Sequence, residues 1–118
     1  MGKELGNFGE NYVSDYLEGL GFKIICRNYR SRYGEIDIIA IKNEKIHFVE
    51  VKTRRSLLFG MPEEAYSLRK QERIIKTALT YLKDNNLRKL FQIDLVALIL
   101  NERNEVLSLK MYDNAVSF

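Results

Sequence analysis

Apolar and polar residues along the chain follow two periods. Leu5, Phe8, Gly9, Tyr12, Val13, Tyr16, Leu17 and Leu20 recur at three- and four-residue steps, which predicts an amphipathic helix from about Lys3 to Gly19, closed by Gly19 and Gly21. Phe22 to Arg30 has the β-branched and aromatic content of a strand, and Ser31-Arg32-Tyr33-Gly34 turns the chain. Ile36 to Ile41 and Ile46 to Val51 then alternate around Lys42-Asn43-Glu44-Lys45, the pattern of a β-hairpin. Both hairpin strands are apolar on two faces, so they are expected to be central and covered on both sides.

Beyond Thr53, Ser56 to Pro62 reads as a loop with an apolar tip, Leu57-Leu58-Phe59, expected to cap the core or to act as a lid. Ser67 has the character of an N-cap, and Leu68, Ile75, Ala78, Leu79 and Leu82 carry a second helix to about Lys83, closed by Asp84-Asn85-Asn86. Phe91 to Leu100 is a nearly continuous apolar run, a buried strand interrupted by Asp94. Glu105 to Tyr112 alternates as a last, edge strand. The expected order is α-β-β-β-α-β-β: an α/β fold in which one helical connection makes a right-handed parallel crossover in a mixed sheet.

The hairpin poses an electrostatic problem. With Asn43 and Glu44 at the turn, facing residues have numbers summing to about 87. That register sets Ile38 against Val49, Ile36 against Val51, Glu35 against Lys52 and Asp37 against Glu50. Like charges directly opposite are destabilising, and acids are disfavoured in strands, so a compensating group is expected. A divalent cation would compensate: Asp37 and Glu50 are hard oxygen ligands suited to Mg²⁺ or Mn²⁺, and the carbonyl of Val51 lies on the same path. Lys52 projects from the Glu50 face, where it could orient water and stabilise charge on a phosphate. The bland alternative is a solvated, salt-bridged strand face.

A chain of 118 residues fits one domain, with a net charge of +3 and 46% hydrophobic content. No apolar run approaches membrane-spanning length, and the N-terminal residues do not form a secretory signal. The single cysteine, Cys26, allows no internal disulfide, and residence in the cytoplasm is expected. The charge is unevenly placed. Between Gly19 and Gly34 there is no acid, but there are Lys23, Arg27, Arg30 and Arg32; Arg54, Arg55 and Lys70 follow the hairpin. Bases thus flank the acids, and Tyr29 and Tyr33 interleave with them in a pattern open to nucleic-acid contact or plain packing. His47 lies on the Val49 face, away from those acids, and reads as a structural histidine. Asp94 is expected to be a buried acid paired with a Lys, an Arg or a helix N-terminus.

Gly34-Glu35-Ile36-Asp37 followed by Phe48-Val49-Glu50-Val51-Lys52-Thr53-Arg54 resembles the Asp…Glu-x-Lys signature of the PD-(D/E)xK nuclease superfamily. The closest likeness is to its YraN-like branch of predicted bacterial endonucleases, related to archaeal Holliday-junction resolvases. Gly6-x-x-Gly9-Glu10, Arg27-Asn28-Tyr29-Arg30 and Lys70-Gln71 match that branch as well. No proline precedes Asp37, where the superfamily's name has one. The resemblance implies a three-layer restriction-endonuclease-like fold and Mg²⁺- or Mn²⁺-dependent cleavage of DNA, branched substrates included. It also implies that Glu10 joins Asp37 and Glu50 as a metal ligand, that Lys52 is the catalytic lysine, and that Gln71 sits by the site. Arg27, Arg30, Arg32, Arg54, Arg55 and Lys70 are the expected DNA contacts. Two-fold substrates would favour a homodimer. A non-catalytic nucleic-acid-binding module and a purely structural domain are the alternatives.

Overall fold

A computed structural model describes residues 2–55 and 60–116, with the side chains of the first two omitted. The chain runs through α1 (Gly2–Gly19), β1 (Lys23–Ser31), β2 (Gly34–Lys42), β3 (Lys45–Arg54), a short 3₁₀ turn at Pro62–Ala65, α2 (Leu68–Asp84), β4 (Phe91–Leu100) and β5 (Val106–Tyr112). The expected element order holds, with the 3₁₀ turn an addition. Leu57, Leu58 and Phe59 lie outside the described residues.

The five strands form one sheet in sequence order. β1, β2 and β3 are antiparallel neighbours, β3 and β4 are parallel across the α2 crossover, and β5 is the antiparallel edge. α1 covers one face, packing Val13 and Leu17 with Phe22 against Ile38, Val49, Val51 and Val96. α2 covers the other, packing Ile74, Ala78 and Leu82 against Ile36, Ile39, Phe48 and Ile93. Both helix faces are narrower or slightly rotated relative to the sequence pattern. Tyr12, Tyr16 and Leu20 are exposed on α1, whereas Leu68 and Leu79 are exposed on α2, where Ile74 and Thr77 are buried instead.

α1 ends in a Schellman motif. Gly21 takes φ +93°, the Phe22 N–H reaches the Leu17 carbonyl (3.0 Å) and the Gly21 N–H reaches that of Glu18 (3.0 Å). Phe22 and Leu17 then share one core, so the cap also aims β1 across the sheet. α2 starts at the expected cap, Ser67, whose hydroxyl accepts from the Lys70 N–H.

The β2–β3 turn takes positive φ at both central residues, Asn43 (51°) and Glu44 (66°), the handedness that matches strand twist in a two-residue hairpin. The predicted register follows over Lys42↔Lys45 to Ile38↔Val49. It stops there. Ile36 lies in the α2-side core and Val51 in the α1-side core, so the expected Ile36–Val51 pair is split across the sheet. The reason is a break in the pleat shared by two strands. On β1, Arg27 contacts α1 while Tyr29 packs on Tyr81 of α2; on β2, Ile38 belongs to the α1 side and Ile36 to the α2 side. Residues two apart ordinarily share a face. Both strands therefore change sides at one rung, Asn28 opposite Asp37, and Asn28 accommodates the change with φ 54°.

Candidate active site

Asp37 sits where β2 changes sides and can no longer take a regular place in the ladder. Its Oδ2 accepts the Val51 N–H at 2.7 Å, and the Glu50 carboxyl stands next to it, close enough to favour a proton on Asp37. The expected opposition of Asp37 and Glu50 is thus a side-chain contact beyond the last ladder rung. Val51 meets Asp37 through its N–H, which fixes the carboxyl's orientation. Burial, followed by the adjacent Glu50 carboxyl and its charge, pushes the Asp37 carboxyl up to about 8, against the opposing effects of the Val51 N–H and Lys52.

Lys52 acts on this pair through its charge but closes on neither acid. Among the described residues, no carboxylate lies within ion-pair distance of its ammonium; the ion pairs are Arg27–Glu10 (3.6 Å), Arg30–Glu35 (3.7 Å) and His47–Asp94. Lys52 instead stands beside Lys70 of α2. Its proximity, followed by burial, lowers the Lys70 ammonium from its ordinary value. Glu35, Glu50, Lys52, Lys70 and Arg73 line a cleft of about 230 Å³ between the β2–β3 strands and α2. Two acids and three cations thus share one cleft.

Glu10 reaches the edge of this cluster from α1. It can do so because Gly9 lets the helix approach β3 closely: a Cβ at Gly9 would stand 2.0 Å from Thr53 Oγ1. Burial, then the charge of Asp37, raises the Glu10 carboxyl, while Arg27 opposes the shift. The Asn28 amide lies between Glu10 and Glu35, and with its nitrogen turned towards them it donates to both carboxylates, at 2.9 and 3.0 Å. Among the described residues, no three His, Cys, Asp or Glu side chains close into a metal-holding group. Asp37 and Glu50 remain a two-carboxylate donor set, which suffices for Mg²⁺ because that ion keeps several waters.

The other predicted residues are distributed around this centre. Gln71 lies in the first turn of α2 and donates to the Tyr66 carbonyl at 3.4 Å. Arg27 is committed to α1 through Glu10 and a 2.7 Å bond to Asn11. Arg55 turns away to Asn104, and Arg54 is close enough to depress Lys70 further. Arg30 and Arg32 line a separate groove of about 410 Å³ with Tyr29, Tyr33 and Lys83, meeting the acidic cleft at Tyr33–Gly34. Tyr29 packs edge-on against Tyr81, whereas Tyr33 is flanked by the Arg32 guanidinium (4.9 Å) and the Lys76 ammonium (5.7 Å). The two tyrosines thus divide between the two readings of the sequence.

Three neighbours escaped sequence reasoning: Asn28, Arg73 and Tyr66. The Tyr66 hydroxyl is buried without a hydrogen-bond partner among the described residues, and burial together with the charge of Glu50 pushes it up to about 12. Asn28 had a readable signal, an Asn within a strand pattern, where Asn is disfavoured except at special φ. Asp94 is a buried acid as expected, but its partner is His47, at 2.7 Å. Parallel register between β3 and β4 creates that pair.

The sequence pattern of the uncharacterised protein family UPF0102 matches residues 9–98. The chain belongs to this family. It is 46% identical over 114 residues to a UPF0102 protein of Dictyoglomus turgidum, covering 96% of this chain and 97% of that one. It is 44% identical over 115 residues to one of Clostridium botulinum, covering 96% and 94%. A UPF0102 protein of Caldicellulosiruptor saccharolyticus is 40% identical over 114 residues, 96% of this chain and 97% of that one. These matches bear out the YraN-like resemblance, and the Gly9–Glu10, Asp37, Glu50-x-Lys52 and Lys70-Gln71 positions all fall inside the matched segment. No helix among the described residues is long and apolar enough to cross a membrane.

Proposed function

We propose that this UPF0102 protein is a divalent-cation-dependent endonuclease acting on DNA, with Asp37 and Glu50 as the carboxylates that hold Mg²⁺ or Mn²⁺. The observation that carries this reading is the contact between those two carboxyls beside a lysine pair that forms no ion pair with either of them. In a salt-bridged strand face, Lys52 would close onto an acid. Two repelling acids and two repelling ammoniums side by side are complementary to a cation and a phosphate together.

When bound, such an ion supplies Lewis acidity and a more acidic water. The chain's own groups do the rest. Val51 N–H and Glu50 orient the Asp37 carboxyl. Lys52 lies on the Glu50 face, where its ammonium hydrogen-bonds the attacking water and the charge developing on phosphorus-bound oxygens. Lys70 and Arg73 hold a neighbouring phosphate in the cleft. Arg30, Arg32, Lys76 and Lys83 line the approach, and Tyr33 offers a stacking surface. Gln71 positions the start of α2, and Glu10 acts from the outer edge through Asn28 and Arg27.

A second reading is a nucleic-acid-binding module that does not cleave. It is favoured by the engagement of Glu10 with Arg27 and Asn28, so that no third acid closes on the pair. Linear, single-stranded and four-way-junction DNA incubated with the protein and Mg²⁺ or Mn²⁺ separates the two. The nuclease reading expects cleavage that falls at least about a hundredfold in Asp37→Asn and in Lys52→Ala. Salt-sensitive binding without cleavage on any of these substrates leaves the binding module.

A further inference from the structure

A second cleft, of about 650 Å³, lies on the α1 side of the sheet at the hairpin-turn end, remote along the strands from Asp37 and Glu50. At its base is the His47–Asp94 pair. Asp94 is fully buried and saturated: Oδ2 meets His47 Nδ1 at 2.7 Å, and Oδ1 accepts from Gln92 Nε2 (2.7 Å) and the Asn114 N–H (3.1 Å). The Asp94 contact holds the ring through Nδ1 and sets its orientation. His47 is about nine-tenths buried and lines the cleft, and its Nε2 has no protein partner among the described residues.

The rim supplies charge. Lys42 and Lys45 form the last rung of the hairpin, held opposite each other by the tight Asn43-Glu44 turn, and both line the cleft. Like charges on one rung repel, and among the described residues no carboxylate forms an ion pair with either. The Lys42 ammonium lies over the Phe22 ring (5.1 Å), whose edge meets the His47 ring (4.8 Å), so the cation and the imidazole flank one aromatic surface. Leu90 and Met111 extend that apolar wall, with the Gln92 and Asn114 amides beside it.

We propose that this cleft binds a nucleotide-class phosphate monoester. Its phosphate sits on Lys42, Lys45 and His47 Nε2, and its ring lies along Phe22, Leu90 and Met111. The imidazole serves in either protonation state, because Nε2 accepts from a P–OH or donates to a phosphate oxygen. The volume lies within the range of small-molecule sites and exceeds the needs of inorganic phosphate. Asp113, also on the lining, disfavours ligands of higher negative charge and offers an acceptor to an amino or hydroxyl group.

The test is NMR titration of the full chain in EDTA with each nucleoside 5′-monophosphate, with inorganic phosphate and with a short single-stranded oligonucleotide. It is independent of cleavage, so its result does not depend on the endonuclease reading. The expected result is that at least one monophosphate shifts the His47 ring and the Gln92 and Asn114 amides. Affinity should fall at least about tenfold in the rim variant Lys42→Ser/Lys45→Ser, whose spectrum away from the rim is unchanged. No shift at millimolar nucleotide, shifts unaltered in that variant, phosphate binding as tightly as nucleotide, or shifts with the oligonucleotide alone would each overturn the proposal.

Discussion

The Asp37 carboxyl stands against that of Glu50 although the β2–β3 ladder has already ended at Ile38↔Val49. Their contact depends on β1 and β2 changing sides together at Asn28 and Asp37. A strained backbone step thus places two acids where a regular hairpin would have put one rung of side chains.

Burial of Asp37, together with that contact, makes metal-free stability fall with pH. Asp37 rises from 3.8 unfolded to about 8 folded, so the native state holds more protons between those values and loses stability as pH increases through that window. The raised Glu10 acts in the same direction. Chemical denaturation from pH 4 to 9 in EDTA should show this decline, with a contribution approaching about 1.4 kcal/mol per pH unit for one proton. Asp37→Asn should flatten it. An equally steep slope in that variant would place the titration elsewhere.

Gly9→Ala tests how Glu10 is delivered. The added Cβ would collide with Thr53 Oγ1, buried and without a hydrogen-bond partner among the described residues, so helix α1 or Thr53 must move. A loss of about 1–3 kcal/mol is expected from urea unfolding, the usual cost of overpacking. Thr53→Ser should leave the clash largely in place, because it keeps the hydroxyl, whereas Gly9→Ala/Thr53→Ala should recover part of the loss.

Asn28 combines a backbone role with a side-chain role, and two substitutions separate them. Asn28→Gly keeps φ 54° accessible and removes only the amide that spans Glu10 and Glu35. Asn28→Ala removes the amide and also strains the backbone, so it should be less stable than Asn28→Gly by about 1 kcal/mol. Equal stabilities by thermal unfolding would mean that the face change does not depend on this φ.

Lys70 is expected to contact phosphate. Lys70→Ala should weaken DNA binding and reduce the magnitude of the salt slope by about one, measured by fluorescence anisotropy across salt concentrations. Arg27→Ala, by contrast, should cost stability more than it changes the salt slope, since that side chain already serves Glu10 and Asn11.

Much of this arrangement was legible in the sequence because it is encoded locally. The Asn43-Glu44 turn determines a register that can be counted outward by residue number, and Ser67 and Gly21 mark helix ends by their own chemistry. The count failed at Asp37, where the pleat breaks through a joint distortion of β1 and β2 that no periodicity in either strand records. The buried faces of the helices shifted by about a residue because packing partners, rather than composition, choose among neighbouring apolar positions. His47 and Asp94 are joined through a parallel register set by the long α2 crossover, which no local turn specifies. Glu10 came from family resemblance alone. Its physical signal was next to it, in a glycine placed where a helix must approach a strand.

Calorimetric Mn²⁺ titration at pH 7 in two buffers of different ionisation enthalpy tests the metal site most directly. With Asp37 raised to about 8, the ion must displace the proton on Asp37, so the account predicts one site, release of up to one proton, and tighter binding as pH rises towards 8. Asp37→Asn should abolish it. No binding by the intact chain, or equal affinity in Asp37→Asn, would contradict the assignment of Asp37 and Glu50 as the metal-holding pair.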